Sequence, residues 1–238
     1  MAFKHGKDGA VLFKENAATD YLSAFSMSRD IALNEITNFG SGGNAQYVAG
    51  IETSSMSLNG FFDGATDTID SFFHSNLGPT SKQALTVAPY GLAVGNRLFL
   101  LSAKEVNYTI DSSVADAVTV ASNFVGERAT SGVSLKPLAA ESSSTDGTAV
   151  DNSSSTANGA VANLHVTAAS SVTGTIKVQH SADNSTWADL ITFTAISGSS
   201  ATSEIKTVTG TVNRYLRYSS TISAGSLTYS VAIGRLTR

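Results

Sequence analysis

Residues 19–35 read TDYLSAFSMSRDIALNE, and their apolar side chains return at every second position. Tyr21, Phe25, Met27, Ile31 and Leu33 fall on one face of an extended chain, opposite Ser26, Ser28, Asp30 and Asn34. A period of two suits a strand with one covered face, because successive side chains of a strand point to opposite sides. A loop of three glycines, ITNFGSGGN, follows and is expected to be flexible. The next extended run, 47–62, slips in phase. Tyr47, Ala49 and Ile51 are apolar at odd positions, whereas Met56, Leu58 and Phe62 are apolar at even ones. A bulge or break near Glu52–Ser54 accounts for such a slip. Opposite Met56 and Leu58 lie Ser55, Ser57 and Asn59, a strip of small uncharged polar groups.

Only GATDTIDSFFHSNL at 64–77 changes period. Ala65, Ile69, Phe72, Phe73 and Leu77 follow helical spacing, with Asp67 and Asp70 in the first turns and Gly78–Pro79 as a stop. Further strands are expected at 82–88, 97–110 and 116–126. Beyond 158 come six short ones, at 160–168, 174–181, 189–196, 202–210, 214–220 and 226–236, separated by SSVTG, SADNS, SGSS and SAGS. Between these groups ESSSTDGTAVDNSSSTAN (141–158) carries nine Ser or Thr in eighteen positions, the composition of a linker or long exposed loop. The expected fold class is mainly β: a sandwich or barrel flanked by one helix at about 64–77, then a second β-sandwich of jelly-roll or immunoglobulin-like kind. The expected division is 1–138, a Ser/Thr-rich 139–158, and 159–238.

With 14% charged residues, solubility must come largely from Ser, Thr and Asn. That suits a surface hidden against partners, and equally a small-residue-rich all-β protein. The net charge is −4 with no Lys/Arg run, which argues against binding nucleic acid through phosphate contacts. No segment has the ~20 apolar residues of a membrane span, and Lys4–Asp8 is too polar for a secretory signal. Cysteine is absent, which removes disulfides and thiolate chemistry.

Enzyme readings find little support. His5, His74, His165 and His180 stand in separate contexts, with no paired ligand at i+4. GSGG at 40–43 lacks the Lys-Ser/Thr of a phosphate loop. Asp63, Asp67 and Asp70 invite a cation-site reading, but their place at a helix start suits the helix dipole. SADNSTW (181–187) is similar to the Asp-box turn of sialidases but lacks its glycine, and reads as a hairpin turn beside a buried Trp187. No catalytic, cofactor-binding or metal residue is assigned.

The stretch 34–77 resembles the major tail tube protein of long non-contractile-tailed bacteriophages. Thr37, Phe39 and Gly40 stand in its T-x-FG loop, Tyr47 and Gly50 in its Y-x-x-G, and Ser57, Leu58, Gly60, Phe61, Phe62 and Asp63 in its S-L-x-G-F-F-D strand end. The likeness covers roughly residues 10–135. Residues 160–236 more loosely resemble a C-terminal β-rich virion module, through VQHSADNSTWADLITF (178–193) and NRYLRY (213–218).

The resemblance implies a structural, non-enzymatic virion protein, made in the bacterial host cytoplasm and built into the tail. It implies rings, commonly hexameric, stacked into a tube that conducts DNA, with tape measure, tail terminator and tail-tip proteins as partners. No cofactor and no membrane are implied. Phe39, Gly40, Ser41, Gly42, Gly43, Asn44 and Tyr47 become candidates for contact between rings or subunits, with Lys4 and Lys7 of the polar N-terminal arm (Ala2–Lys14) as a second group. Ser55, Ser57 and Asn59 become candidates for the lumen wall, and Phe61 or Phe62 an anchor of the strand-to-helix junction. The alternative is a jelly-roll-type glycan-binding, adhesion or decoration protein, with Trp187, Tyr215 and Tyr218 as stacking candidates.

Overall fold

In the computed structural model, which describes residues 6–66 and 68–237, the chain is mainly β with a single α-helix. The strands are β1 (Ala10–Phe13), β2 (Asn16–Ala17), β3 (Leu22–Glu35), β4 (Tyr47–Phe61), β5 (Gln83–Ala88), β6 (Arg97–Asp111), β7 (Thr119–Gly126) and β8 (Thr130–Glu141). They continue with β9 (Thr145–Asp146), β10 (Val150–Asp151), β11 (Ala160–Ser181), β12 (Ala188–Thr192), β13 (Ile196–Gly198), β14 (Thr202–Val208) and β15 (Tyr215–Arg235). The helix, α1, spans Ile69–His74.

Contacts divide the chain into two units that are not contiguous in sequence, unlike the three-part division expected from composition. The first unit holds residues 1–21, 83–102 and 130–238, and the second holds 22–82 and 103–129. Strand β6 belongs to both.

In the first unit the strand order is β12-β11-β15-β8-β6-β5-β1-β2. The C-terminal strands therefore share a sheet with β1, β2 and β5. Its spine is the antiparallel pair β11–β15, of 22 and 21 residues. Each was expected as two strands broken by SSVTG or SAGS. The two breaks instead face each other across the ladder, as a bulge between Ser170 and Gly174. Ser171 adopts φ 45° and Gly225 φ 71° there, and a Cβ on Gly225 would stand 2.2 Å from the Ser170 carbonyl oxygen. Turn residues bend the ribbon without ending it. Strand β8 was not anticipated, and it contains Pro137. Pro137 sits where the β8–β15 register shifts, a place where a missing ladder N–H is tolerated.

The segment expected as a linker is bonded into this unit. Strands β9 and β10 pair with β15, and Thr156 bridges Val212. Gly147 donates its N–H to the Tyr218 carbonyl at 2.9 Å and lies against the Tyr218 ring. Polar composition predicted exposure; it did not exclude edge pairing, which needs only backbone groups.

The second unit is a four-strand antiparallel sheet, β3-β4-β7-β6 (from Ala103), with α1. Met56, Leu58, Val120 and Phe124 are buried, and so are Ile69 and Phe73 of α1. Phe73 meets Phe124 edge-on, with ring centroids 5.9 Å apart. The helix is shorter than the expected 64–77. The Asp63 carboxylate accepts the Ala65 N–H at 3.0 Å, and the Thr68 hydroxyl donates to the carbonyls of Asp63 and Ala65. These side-chain bonds tie Asp63, Ala65 and Thr68 together outside the helix and compete with it. Phe61 and Phe62 are exposed, so the anchoring expected of them falls to Ile69 and Phe73.

Candidate functional site

The register of the second unit assembles a polar face across four strands. Ser26, Ser57, Asn123 and Asn107 stand side by side on β3, β4, β7 and β6. The rows flanking them are Ala24–Asn59–Ala121–Thr109 and Ser28–Ser55–Val125–Lys104. Ser28 and Ser55 share a hydrogen bond of 2.7 Å, and the Asn123 amide donates to Asn107 Oδ1 at 3.4 Å. Ser55 and Asn59 are exposed and Ser57 is half-buried, while their neighbours Met56 and Leu58 are buried. Alternation found the β3 and β4 members of this face. Asn123 was legible too, between the core residues Ser122 and Phe124, but needed the register to join the others.

Beyond Arg29 and Ser54, β3 and β4 leave the rest of the sheet and continue as a two-strand arm. Ile31, Leu33, Tyr47 and Ile51 are 51%, 65%, 57% and 79% exposed. The phase slip is a bulge close to the expected place. Ile31 pairs with Glu52 and Leu33 with Ala49, so Gly50 and Ile51 together oppose Ala32. A Cβ on Gly50 would stand 3.1 Å from the Ala32 carbonyl oxygen, a close approach of the two strands at the bulge.

The tip, expected as a flexible glycine loop, is an ordered turn. Asn38 Oδ1 accepts the Gly40 N–H at 2.8 Å, and Ser41 Oγ accepts the Asn38 N–H at 3.0 Å. Gly42 and Gly43 take φ 61° and 81°, and the Asn44 N–H returns to the Ser41 carbonyl. The Thr37 hydroxyl accepts the Gln46 N–H at 2.9 Å. This closure buries Ser41 and leaves Phe39 fully exposed. The arm thus joins Phe39, Gly40, Gly42, Gly43, Asn44 and Tyr47 in one feature. Lys7 lies in the first unit, exposed on a 3-10 turn at Gly6–Asp8, and Lys4 falls outside the described residues.

At the root of the arm, Arg29 Nε donates to Glu52 Oε1 at 2.8 Å and Arg128 Nε lies 3.2 Å from Glu52 Oε2, so two guanidinium groups share one carboxylate. Deeper in the unit, burial pushes the Glu105 carboxyl up to about 7, against a 2.6 Å hydrogen bond from the Ser122 hydroxyl. Glu105 Oε2 has no hydrogen-bond partner.

The aromatic residues considered for glycan stacking are already engaged within the first unit. Tyr218 is buried and donates its hydroxyl to Glu141 at 2.7 Å. Arg217 lies 4.3 Å from the Trp187 ring centroid and Arg214 4.9 Å from that of Tyr215. Trp187 is half-buried, beneath a cation and outside the core. The SADNSTW segment is the expected hairpin turn. Asp183 accepts from the Ser181 hydroxyl and the Ser185 and Thr186 amides, which holds its carboxyl well below the usual range. Among the described residues no three His, Asp or Glu side chains converge as metal ligands.

No family model and no curated protein matches the chain. Similar solved structures exist at low identity. The virion of a native gene transfer agent particle is 16% identical with a TM-score of 0.42, over 53% of this chain and 95% of that one. The sheath–tube complex of PVC, an extracellular contractile injection system, is 14% identical with a TM-score of 0.44, over 55% and 92%. The SPP1 Dit protein, a hub of the adsorption apparatus in phages infecting Gram-positive hosts, is 11% identical with a TM-score of 0.39, over 96% and 99%.

Proposed function

We propose that the protein is a structural, non-enzymatic subunit of a virion tail, which joins copies of itself edge to edge into closed rings that stack as a DNA-conducting tube. The observation that carries this reading is the open edge of β3. Among the described residues this 14-residue strand pairs only with β4, and its other edge meets no strand. A long unpaired edge lined by exposed Ile31 and Leu33 would invite uncontrolled association if it stayed bare. Pairing it with a neighbour, and closing the series into a ring, removes the edge altogether.

In such a ring, one wall is made by the face carrying Ser26, Ser57, Asn123 and Asn107. Its small hydroxyl and amide groups are wetted by water and place no row of cations against DNA phosphates, so cargo can slide past. The arm that ends at Phe39 reaches beyond the sheet to a neighbouring ring. Six-fold symmetry and the tape measure, terminator and tip proteins as partners follow from the resemblance at residues 34–77.

The test is direct. Purified protein is taken through a concentration series and followed by sedimentation and negative-stain microscopy. Rings and tubes of uniform width are expected. A species that stays monomeric at high concentration and adds nothing to preformed tubes would overturn the reading.

A further inference from the structure

Strands β13 and β14 pair in turn with β11. Thr173 and Val172 meet Ser197 and Gly198, and pairing resumes with Thr202 opposite Val166 and Glu204 opposite Leu164. Residues facing each other across a ladder share one face of the sheet, so Thr202 and Glu204 stand on the side of the buried Leu164 and Val166. The connection 199–201 is pinned where the Ser171 N–H donates to Ser199 Oγ at 3.0 Å. Strand β14 is clasped to the chain before β13. Glu204 accepts the Thr194 N–H at 2.8 Å and the Thr194 hydroxyl at 2.9 Å, and Lys206 donates to the Thr192 carbonyl at 2.8 Å.

Between the clasp and the connection lies an open cleft of about 470 Å³, lined wholly from the first unit. Small-ligand sites span roughly 300–1,000 Å³. Leu164 and Ile196 give it apolar surface. Ser197, Ser200 and Thr202 bring hydroxyls that have no protein partner among the described residues. Glu204 is the one ionisable side chain of the described lining, and no aromatic ring contributes to it. Burial raises the Glu204 carboxyl, but bonds from Thr194 and Lys206 outweigh this and hold it below the ordinary range. The cleft therefore carries a fixed, ionised carboxylate.

We propose that this cleft binds a neutral sugar unit, with Glu204 accepting its hydroxyls and Leu164 and Ile196 meeting the C–H face of its ring. The lining rejects other classes. An anion meets a carboxylate and no lining cation, and a planar base finds no ring to stack on. A hydrocarbon would strand Glu204 and the hydroxyls without water. A sugar ring is amphiphilic in the same way as the cleft: its edge donates to the carboxylate and accepts from Ser197, Ser200 and Thr202, while its faces are apolar. The site shares no residue with Trp187, Tyr215 and Tyr218, and it does not rest on the tube reading. One unit held without stacking binds weakly, in about the millimolar range, and copies repeated in an assembly would gain by avidity.

Saturation-transfer NMR on the intact protein tests it, with glucose, galactose, mannose and N-acetylglucosamine as neutral probes and glucuronate as an anionic one. At least one neutral probe should bind with a Kd of about 1–10 mM, and glucuronate about tenfold more weakly. Glu204→Gln should weaken the neutral probe about tenfold. Ala201 is an exposed residue of the lining, so Ala201→Trp should fill the cleft and abolish binding while the melting temperature holds. No transfer to any neutral probe would overturn the proposal. Unchanged binding in Ala201→Trp would do the same, as would loss in Trp187→Ala alone, which would move the sugar to the aromatic residues. None of these outcomes bears on the tube reading, which microscopy decides.

Discussion

The hydroxyl of Thr86 stands 2.8 Å from His165 Nε2, in a buried network that ties β5 to β11. The other ring nitrogen lies 2.6 Å from the carbonyl oxygen of Lys14, which can only accept. Nδ1 therefore carries the proton, Nε2 accepts from Thr86, and Thr86 Oγ1 accepts the Asn163 amide at 3.1 Å. The imidazole is fully buried and neutral, with burial pushing its pKa down to about 4 despite the Lys14 bond.

His165 makes the fold acid-sensitive. Its folded value lies below the ordinary 6.5, so its contribution is complete above pH 6.5 and is lost as pH falls through 4. The loss approaches about 3 kcal/mol. Denaturant unfolding at pH 7 and pH 4.5 should show it. His165→Gln should be less stable at pH 7 and should lose most of this dependence. An unchanged slope in the variant would assign the acid sensitivity elsewhere.

Glu105 acts in the opposite direction. Its carboxyl is raised to about 7, so the folded state favours the acid form, and stability falls as pH rises from the ordinary 4.5 through 7. Glu105→Gln keeps the shape and removes the charge. It should stabilise the protein by about 1–2 kcal/mol at pH 8 and hardly at all at pH 5. Thermal melts at the two pH values check this; equal gains at both would contradict it.

Gly147 tests whether the Ser/Thr-rich 139–158 stretch is part of the fold. A Cβ there would stand 2.2 Å from Tyr218 Cδ1. Gly147→Ala should cost about 2 kcal/mol, lowering the melting temperature by several degrees. A free linker would show no change.

The arm should matter for assembly and little for folding. Phe39 is fully exposed, so Phe39→Ser should leave monomer stability within about 0.5 kcal/mol of wild type while reducing tube growth. Deleting residues 40–43 should abolish tube growth in a chain that still folds. Circular dichroism with negative-stain microscopy separates the two effects, and normal tubes from the deletion would remove the arm from stacking.

Much of this molecule follows from the order of its residues alone. Alternation in TDYLSAFSMSRDIALNE made β3 legible, and the change of phase after Ile51 announced the β4 bulge, because side-chain direction in a strand is fixed by counting. Ser55, Ser57 and Asn59 could be assigned to one side for the same reason. Counting could not say which strands would lie beside them. Asn123 and Asn107 join Ser57 only through a register set by core packing of Met56, Phe124 and Phe73. Nor does local sequence know its distant partners. SSVTG and SAGS look like turns until they face one another across β11–β15, and a Ser/Thr-rich stretch looks free until β15 offers it a backbone edge. The residues of the sheet's two ends are all present in the sequence, but they lie dozens of positions apart. Only the antiparallel return of four strands brings Arg29, Glu52, Lys82, Glu127 and Arg128 to one end and Asp63, Asp111 and Asp116 to the other.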